Sequence, residues 1–202
     1  MCIRDSLWRC VVGVTALWLW FCAIGLLPLA TAMTLNYMAP IWISGILFVV
    51  AWRAGKRRFE WGLVLAITAS FIGVTLLLRP SIHADQWLGG FLGLCSGALS
   101  ALAYLQVRHL GQLGEPESRV VFYFSLTGFI AGLGGCLFGP GLNGESISLL
   151  RSHSTYGMCL LLSIGVFAAI AQMAMTRAYR LGNTLVTANL QYTGIVFSSI
   201  WG

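Results

Sequence analysis

Two pairs of polar residues stand in the middle of strongly apolar stretches of the chain: Asn36 with Tyr37, and Gln191 with Tyr192. An amide beside a phenol supplies hydrogen-bond donors, acceptors and an aromatic face without a buried charge. In hydrocarbon such groups need a partner, which is either another helix or a bound molecule. Their chemistry is therefore that of binding a polar solute or of joining helices.

The two pairs belong to a longer internal match. Residues 11–47 align without a gap on residues 166–202, at an offset of 155. Seven pairs are identical: Val11/Val166, Ala16/Ala171, Ala23/Ala178, Leu26/Leu181, Leu35/Leu190, Tyr37/Tyr192 and Ser44/Ser199. Repeats in opposite orientation are typical of membrane transporters, whose solute sites lie where the copies meet near mid-membrane. We predict a solute site of that kind, lined by the four paired residues, with Tyr104 and Gln172 as further candidates.

The composition indicates the elements that position these residues. The chain is 58% hydrophobic and 9% charged, with a mean hydropathy of +0.83, whereas a soluble domain is typically about 25% charged. Apolar stretches of the length that spans a bilayer as a helix recur along it. Seven are predicted, at residues 7–27, 30–51, 61–78, 88–107, 120–139, 156–176 and 184–202. The fold class is therefore an all-α integral membrane protein, a polytopic helical bundle in contact with the lipid bilayer.

The basic residues alternate between the two ends of successive segments, ten at one set of ends and two at the other. The ten are Arg4, Arg9, Arg53, Lys56, Arg57, Arg58, Arg108, Arg119, Arg177 and Arg180, and the two are Arg79 and Arg151. Positive residues concentrate on the cytoplasmic side of membrane proteins, so the net charge of +6 reflects topology and does not indicate nucleic-acid binding. The first and sixth segments then run in opposite directions, which makes the two copies inverted and the repeat five helices long.

Seven helices fall short of two five-helix repeats, so we expect the sequence to be a fragment that lacks two helices before and one after it. Residues 1–6 are a polar leader, read as a truncated or artefactual start. Residues 7–79 would then be the last three helices of the first repeat. Residues 88–202 would be the first four helices of the second.

Three stretches carry a resemblance to a known family. Residues 23–40 (AIGLLPLATAMTLNYMAP), 60–78 (EWGLVLAITASFIGVTLLL) and 176–202 (TRAYRLGNTLVTANLQYTGIVFSSIWG) resemble the EamA domain of the drug/metabolite transporter superfamily. The matching positions are Ala23, Pro28, Pro40, Trp61, Gly62, Gly73 and Val74. The resemblance covers family helices three to nine of ten. It implies alternating-access transport of small metabolites or drug-like solutes across the bacterial inner membrane, as an exporter.

The chain departs from the family pattern in two places. Arg53 and the basic residues 56–58 stand where the family commonly has an acidic residue at the end of its fourth helix. Ile195 stands in the second copy where the first has Pro40.

Groups that would indicate other chemistry are missing from the apolar segments. No Asp or Glu lies in the middle of a segment, so a carboxylate proton relay is not expected. No basic residue lies there either, which favours neutral, zwitterionic or cationic solutes. Convergent catalytic groups are absent from these segments, so we predict no enzyme. A seven-helix photoreceptor would need a buried lysine to bind retinal, and the sole lysine, Lys56, lies in a loop. A non-transporting structural or regulatory membrane protein remains the first alternative, and an intramembrane enzyme is a weaker one.

Small residues complete the pattern. The six cysteines show no metal-binding spacing, so they are interpreted as packing residues and no metal or cofactor is expected. Two GxxxG pairs, Gly93 with Gly97 and Gly128 with Gly132, permit close helix approach. We predict packing within the chain for both, with a homodimer interface as the alternative.

Overall fold

The computed structural model of the protein describes residues 3–55, 61–78, 86–138, 154–194 and 197. These ranges are helical almost throughout, and no strand occurs in them. The helices are α1 (Ile3–Leu26), α2 (Leu29–Asn36), α3 (Ala39–Arg53), α4 (Trp61–Leu78), α5 (Trp87–Gln112), α6 (Glu117–Phe138), α7 (Thr155–Leu181) and α8 (Thr184–Leu190). The predicted all-α bundle is confirmed.

Every predicted apolar segment contains a helix, but two segments predicted as continuous are interrupted. The second consists of α2 and α3, which are separated by Tyr37 and Met38. In the seventh, α8 ends at Leu190 and the chain turns at Gln191 and Tyr192. Helix α1 also begins at residue 3, so residues 3–6 of the predicted leader are helical.

The first interruption has a local cause in Pro40. A proline has no N–H, so the carbonyl of Asn36 loses the donor that a continuous helix would offer it. Pro40 lies instead at the start of α3, where a missing N–H is tolerated. A tight turn bridges the gap, in which the Met38 N–H donates to the Leu35 carbonyl at 3.2 Å.

The second interruption forms without a proline, because Ile195 occupies the equivalent position. The Gln191 N–H donates to the Ala188 carbonyl at 3.2 Å, and the Tyr192 N–H donates to the Asn189 carbonyl at 3.1 Å. These are bonds of three-residue spacing, which tighten the end of a helix.

Helix boundaries recur at the same offset as the sequence repeat. Helix α1 ends at Leu26 and α7 at Leu181, while α2 begins at Leu29 and α8 at Thr184. Both pairs are 155 residues apart. The repeat found in the sequence is therefore also a repeat of helix ends.

Length and apolar character suit the helices to a bilayer. Among the described residues, four stretches are long and apolar enough to cross a membrane: Ser6–Leu26, Leu29–Arg53, Trp87–Gln112 and Thr155–Leu181. The apolar window of the last buries none of its residues, which in water would leave a large hydrophobic surface exposed. The chain is a multi-pass membrane protein.

Helix α5 is the centre of the bundle and contacts α1, α2, α3, α6 and α7. Its glycines allow this: a Cβ added at Gly97 would lie 2.9 Å from the Leu35 carbonyl oxygen, and one at Gly93 would lie 2.8 Å from the Leu35 side chain. The Ser96 hydroxyl on the same helix donates to the Ala16 carbonyl of α1 at 2.9 Å. Packing within the chain is confirmed for Gly93 and Gly97.

The second GxxxG pair behaves differently. A Cβ added at Gly128 or Gly132 of α6 would meet no described atom within 4 Å. Close packing of this pair within the chain, and the homodimer interface given as the alternative, therefore stay predictions.

An ion pair joins two helices at the predicted cytoplasmic end. The Arg180 guanidinium of α7 donates to the Glu117 carboxylate of α6 at 2.9 Å. Hydrogen bonding to the residue's own backbone amide, together with this ion pair, lowers the pKa of the Glu117 carboxyl below its usual value. The ends of α6 and α7 are thereby held together.

The basic-residue count makes a prediction about sidedness. Leu113 follows α5 at the predicted cytoplasmic face, and 56% of its surface is exposed. Tyr156 lies at the start of α7 at the opposite face, and 74% of its surface is exposed. In a background without native thiols, Leu113→Cys should react with an impermeant maleimide from the cytoplasmic side and Tyr156→Cys from the opposite side. A permeant maleimide controls for accessibility by labelling both. Labelling of both from one side would contradict the predicted topology.

Candidate functional site

The two helix breaks contact each other. The Tyr192 hydroxyl donates to the backbone carbonyl of Tyr37 at 3.0 Å, and the two rings lie 6.1 Å apart at 39°. Tyr192 is buried, and Tyr37 is half-buried. The structure thus brings together two predicted site residues that occupy equivalent positions in the two copies.

Gln191 extends this contact to a third tyrosine. Its Nε2 donates to the Tyr179 hydroxyl at 2.9 Å, and the fully buried Tyr179 ring stacks on Tyr104 with centroids 5.3 Å apart and planes 9° apart. Tyr104 comes from α5, Tyr179 from α7 and Gln191 from the end of α8. Three elements of the bundle therefore converge next to the second break.

Asn36 is the last residue of α2 and is half-buried. Its side chain makes no hydrogen bond to another residue in the described part of the chain. An amide carries two donors and an acceptor. Its two donors and its acceptor lie beside the first break.

Gln172 lies apart from the other five candidates. It precedes Tyr179 by two turns of α7, about 10 Å along the helix, and it makes no hydrogen bond with the tyrosines or amides at the breaks within the described residues. Its Oε1 is buried and lacks a hydrogen-bond partner there. The structure therefore does not bring Gln172 to the contact between the breaks.

Tyr179 is the site residue that the sequence analysis missed. The sixth segment was predicted to end at residue 176, because Arg177 and Arg180 indicate the membrane edge. The helix continues instead to Leu181, where cationic side chains are favourable at a helix C-terminus. Extending the helical register from Thr176 would have placed Tyr179 one turn further along the same face.

The lengths of α2 and α8 predict that both breaks lie inside the membrane thickness. Helix α2 has eight residues and α8 has seven, so each carries the chain about 10–12 Å from its start, against about 30 Å of hydrocarbon. Backbone groups freed at that depth need partners from the protein or from something bound. Hydrogen bonding and stacking are what the cluster offers. Among the described residues, no group of three or more His, Cys, Asp or Glu is placed to hold a metal ion.

The fold and the site together define a class: a multi-pass helical membrane protein in which two membrane helices break at equivalent positions and the breaks touch. Similar proteins carry transporter names. The chain is 28% identical over 196 residues to the pseudopaline exporter CntI of Pseudomonas aeruginosa and 26% identical over 197 residues to an uncharacterized transporter of Helicobacter pylori. Each match covers 96% of this chain but only 63% and 62% of the relative.

The chain was also compared with protein-family models and with solved structures. No family model matches the chain. A crystal structure of a protein without a functional name shares the fold, with a TM-score of 0.75 and 18% identity over 95% of this chain and 66% of that chain.

Proposed function

We propose that this chain is part of a membrane transporter, an exporter that moves a small-molecule solute across the bacterial inner membrane by alternating access. The observation that carries the proposal is the hydrogen bond between the two breaks, from the Tyr192 hydroxyl to the Tyr37 carbonyl. Discontinuous helices that meet near mid-membrane at a repeat interface are the recurrent way in which transporters build solute sites.

The relatives support the same class of function. They are named as an exporter and as transporters, and transport is the activity that the EamA-like stretches imply. Neither source points to catalysis, and we propose no enzymatic role. The matching helix ends favour the division into residues 7–79 and 88–202 as parts of two repeats.

The proposed solute site is the surface around the two breaks. Asn36 offers an amide without a partner, Gln191 is held by Tyr179, and Tyr37 with Tyr192 supplies the aromatic surface. Tyr104 lies behind Tyr179 and fixes its ring by stacking. Gln172, about 10 Å from Tyr179 along α7, stays a candidate from the sequence that lies outside this surface.

Removing either amide should slow efflux. We expect Asn36→Leu and Gln191→Leu each to reduce solute efflux about three- to eighteenfold, the range that corresponds to losing a hydrogen bond worth about 0.6–1.7 kcal/mol in a membrane. The full-length protein is expressed in a bacterial host, and the solutes accumulating in the medium are compared by mass spectrometry with those of a host lacking it. Gln112→Leu, the same change at an exposed position at the end of α5, is the matched control and should leave efflux unchanged.

Two results would contradict the proposal at different levels. A medium indistinguishable from that of the empty host, with the protein inserted normally, would reject the transport function and favour a non-transporting membrane protein. Wild-type efflux by both amide variants would instead show that the amides only join helices.

A further inference from the structure

Arg9 is buried inside the helix bundle, although its position in the sequence suggests an exposed residue at the end of a membrane segment. The charge pattern assigns it to the cytoplasmic end of the first segment, but it lies six residues, about 9 Å, inside α1 and is only 3% exposed. An arginine keeps its charge even when buried. A buried charge without a counter-charge costs free energy, so intramembrane ionisable residues commonly mark functional sites.

Among the described residues, two of the three guanidinium nitrogens of Arg9 have no hydrogen-bond partner. The guanidinium carbon lies 4.2 Å from the centre of the Phe124 ring of α6, a contact that meets one face of the group. The Nε and Nη1 atoms are buried and have no hydrogen-bond partner. Among the side chains that the structure describes, which do not include that of Asp5, the two ion pairs belong to Arg119 and Arg180, and no carboxylate pairs with Arg9.

Arg9 and the groups at the breaks lie on helices that pack together. Helix α1, which carries Arg9, packs against α5, which carries Tyr104. Tyr104 in turn stacks on Tyr179. The buried charge therefore lies in the same part of the bundle as the helices that form the proposed solute site.

We propose that Arg9 forms a carboxylate-binding site inside the bundle, with Phe124 supporting the guanidinium. Guanidinium N–H groups match carboxylate oxygens in geometry and charge. Together with the proposed function, on which this step rests, the site would hold the acidic group of the transported solute. This replaces the expectation that no basic residue is available for an anionic group.

Acetate and acetamide test the site without any transport measurement, because they have the same shape and differ in charge. Purified full-length protein in nanodiscs should show an unfolding temperature that rises with sodium acetate, above the effect of sodium chloride at equal ionic strength, and acetamide should give no such rise. Arg9→Gln should weaken the apparent acetate affinity about tenfold or more. Arg9→Lys, which keeps the charge, should retain part of it.

Two controls separate this site from other arginines and from a partner within the chain. Arg53→Gln removes an exposed arginine at the end of α3 and should leave the acetate response unchanged. Asp5 stands four positions before Arg9 in the sequence, a spacing at which charges pair on a helix. A response that appears only after Asp5→Asn would show that Asp5 already occupies the guanidinium and would overturn the proposal.

The remaining outcomes are equally decisive. No acetate response in the wild type beyond that of chloride overturns the proposal, as does an unchanged response in Arg9→Gln. A response that depends on Arg9 in a protein that exports nothing would leave the anion site standing and reject the transport function.

Discussion

Gly97→Ala should destabilise the protein by about 3 kcal/mol, the upper part of the range for overpacking a tight contact. The added Cβ would lie 2.9 Å from the carbonyl oxygen of Leu35, which is backbone and cannot rotate away. Leu35 directly precedes the first break, so α2 would be pushed from α5 and Tyr37 with it. Thermal or denaturant unfolding of the purified protein measures the loss, and efflux should fall in parallel.

Gly128→Ala is the matched control, because a Cβ at Gly128 meets no described atom within 4 Å. Both changes replace a helical glycine by alanine and gain the same helix propensity, about 1 kcal/mol. Equal stability of the two variants would show that α2 and α5 are not in the close contact described.

Tyr192→Phe should destabilise the protein by about 1–2 kcal/mol and reduce efflux, whereas Tyr37→Phe should do neither to a comparable extent. The Tyr192 hydroxyl donates to the Tyr37 carbonyl, and that carbonyl has lost its helical donor because the Ile41 N–H turns to Met38. Leaving a buried acceptor without a partner costs about 1–3 kcal/mol. The Tyr37 hydroxyl makes no hydrogen bond in the described part of the chain.

The two phenylalanine variants control for each other, since they make the same chemical change at equivalent positions. Unfolding and efflux are measured on both. A loss of similar size in the two variants, or none in Tyr192→Phe, would contradict the contact between the breaks.

The repeat was readable from the sequence because chemistry and helix boundaries recur together. The offset of 155 that aligns Tyr37 with Tyr192 also aligns the ends of α1 and α7 and the starts of α2 and α8. Apolar length and basic flanks predicted the segments for the same reason, since both are local properties of the chain. Contact between the breaks is a tertiary property, and the sequence indicated it only through the polarity of the residues there.

What the sequence did not reveal depends on neighbours distant in the chain. Arg9 and Tyr179 resemble ordinary residues of a basic flank, and only packing against α5 and α6 shows that they are buried. The two GxxxG pairs look alike in the sequence, yet a Cβ at Gly97 would meet a backbone oxygen and one at Gly128 would meet no described atom within 4 Å. Small residues permit close approach without requiring it.

The hydrogen bond between the breaks is asymmetric, because only one of two residues at equivalent positions can be its donor. The Tyr192 hydroxyl donates to the Tyr37 carbonyl. The reverse bond, from the Tyr37 hydroxyl to the Tyr192 carbonyl, would use the same kinds of group. The surroundings of the two tyrosines differ: the Tyr37 hydroxyl lies 3.8 Å from the Cβ position of Gly194, whose counterpart 155 residues earlier is Ala39. This methyl group is one of the many differences between the two copies that make the two directions of the bond unequal in energy.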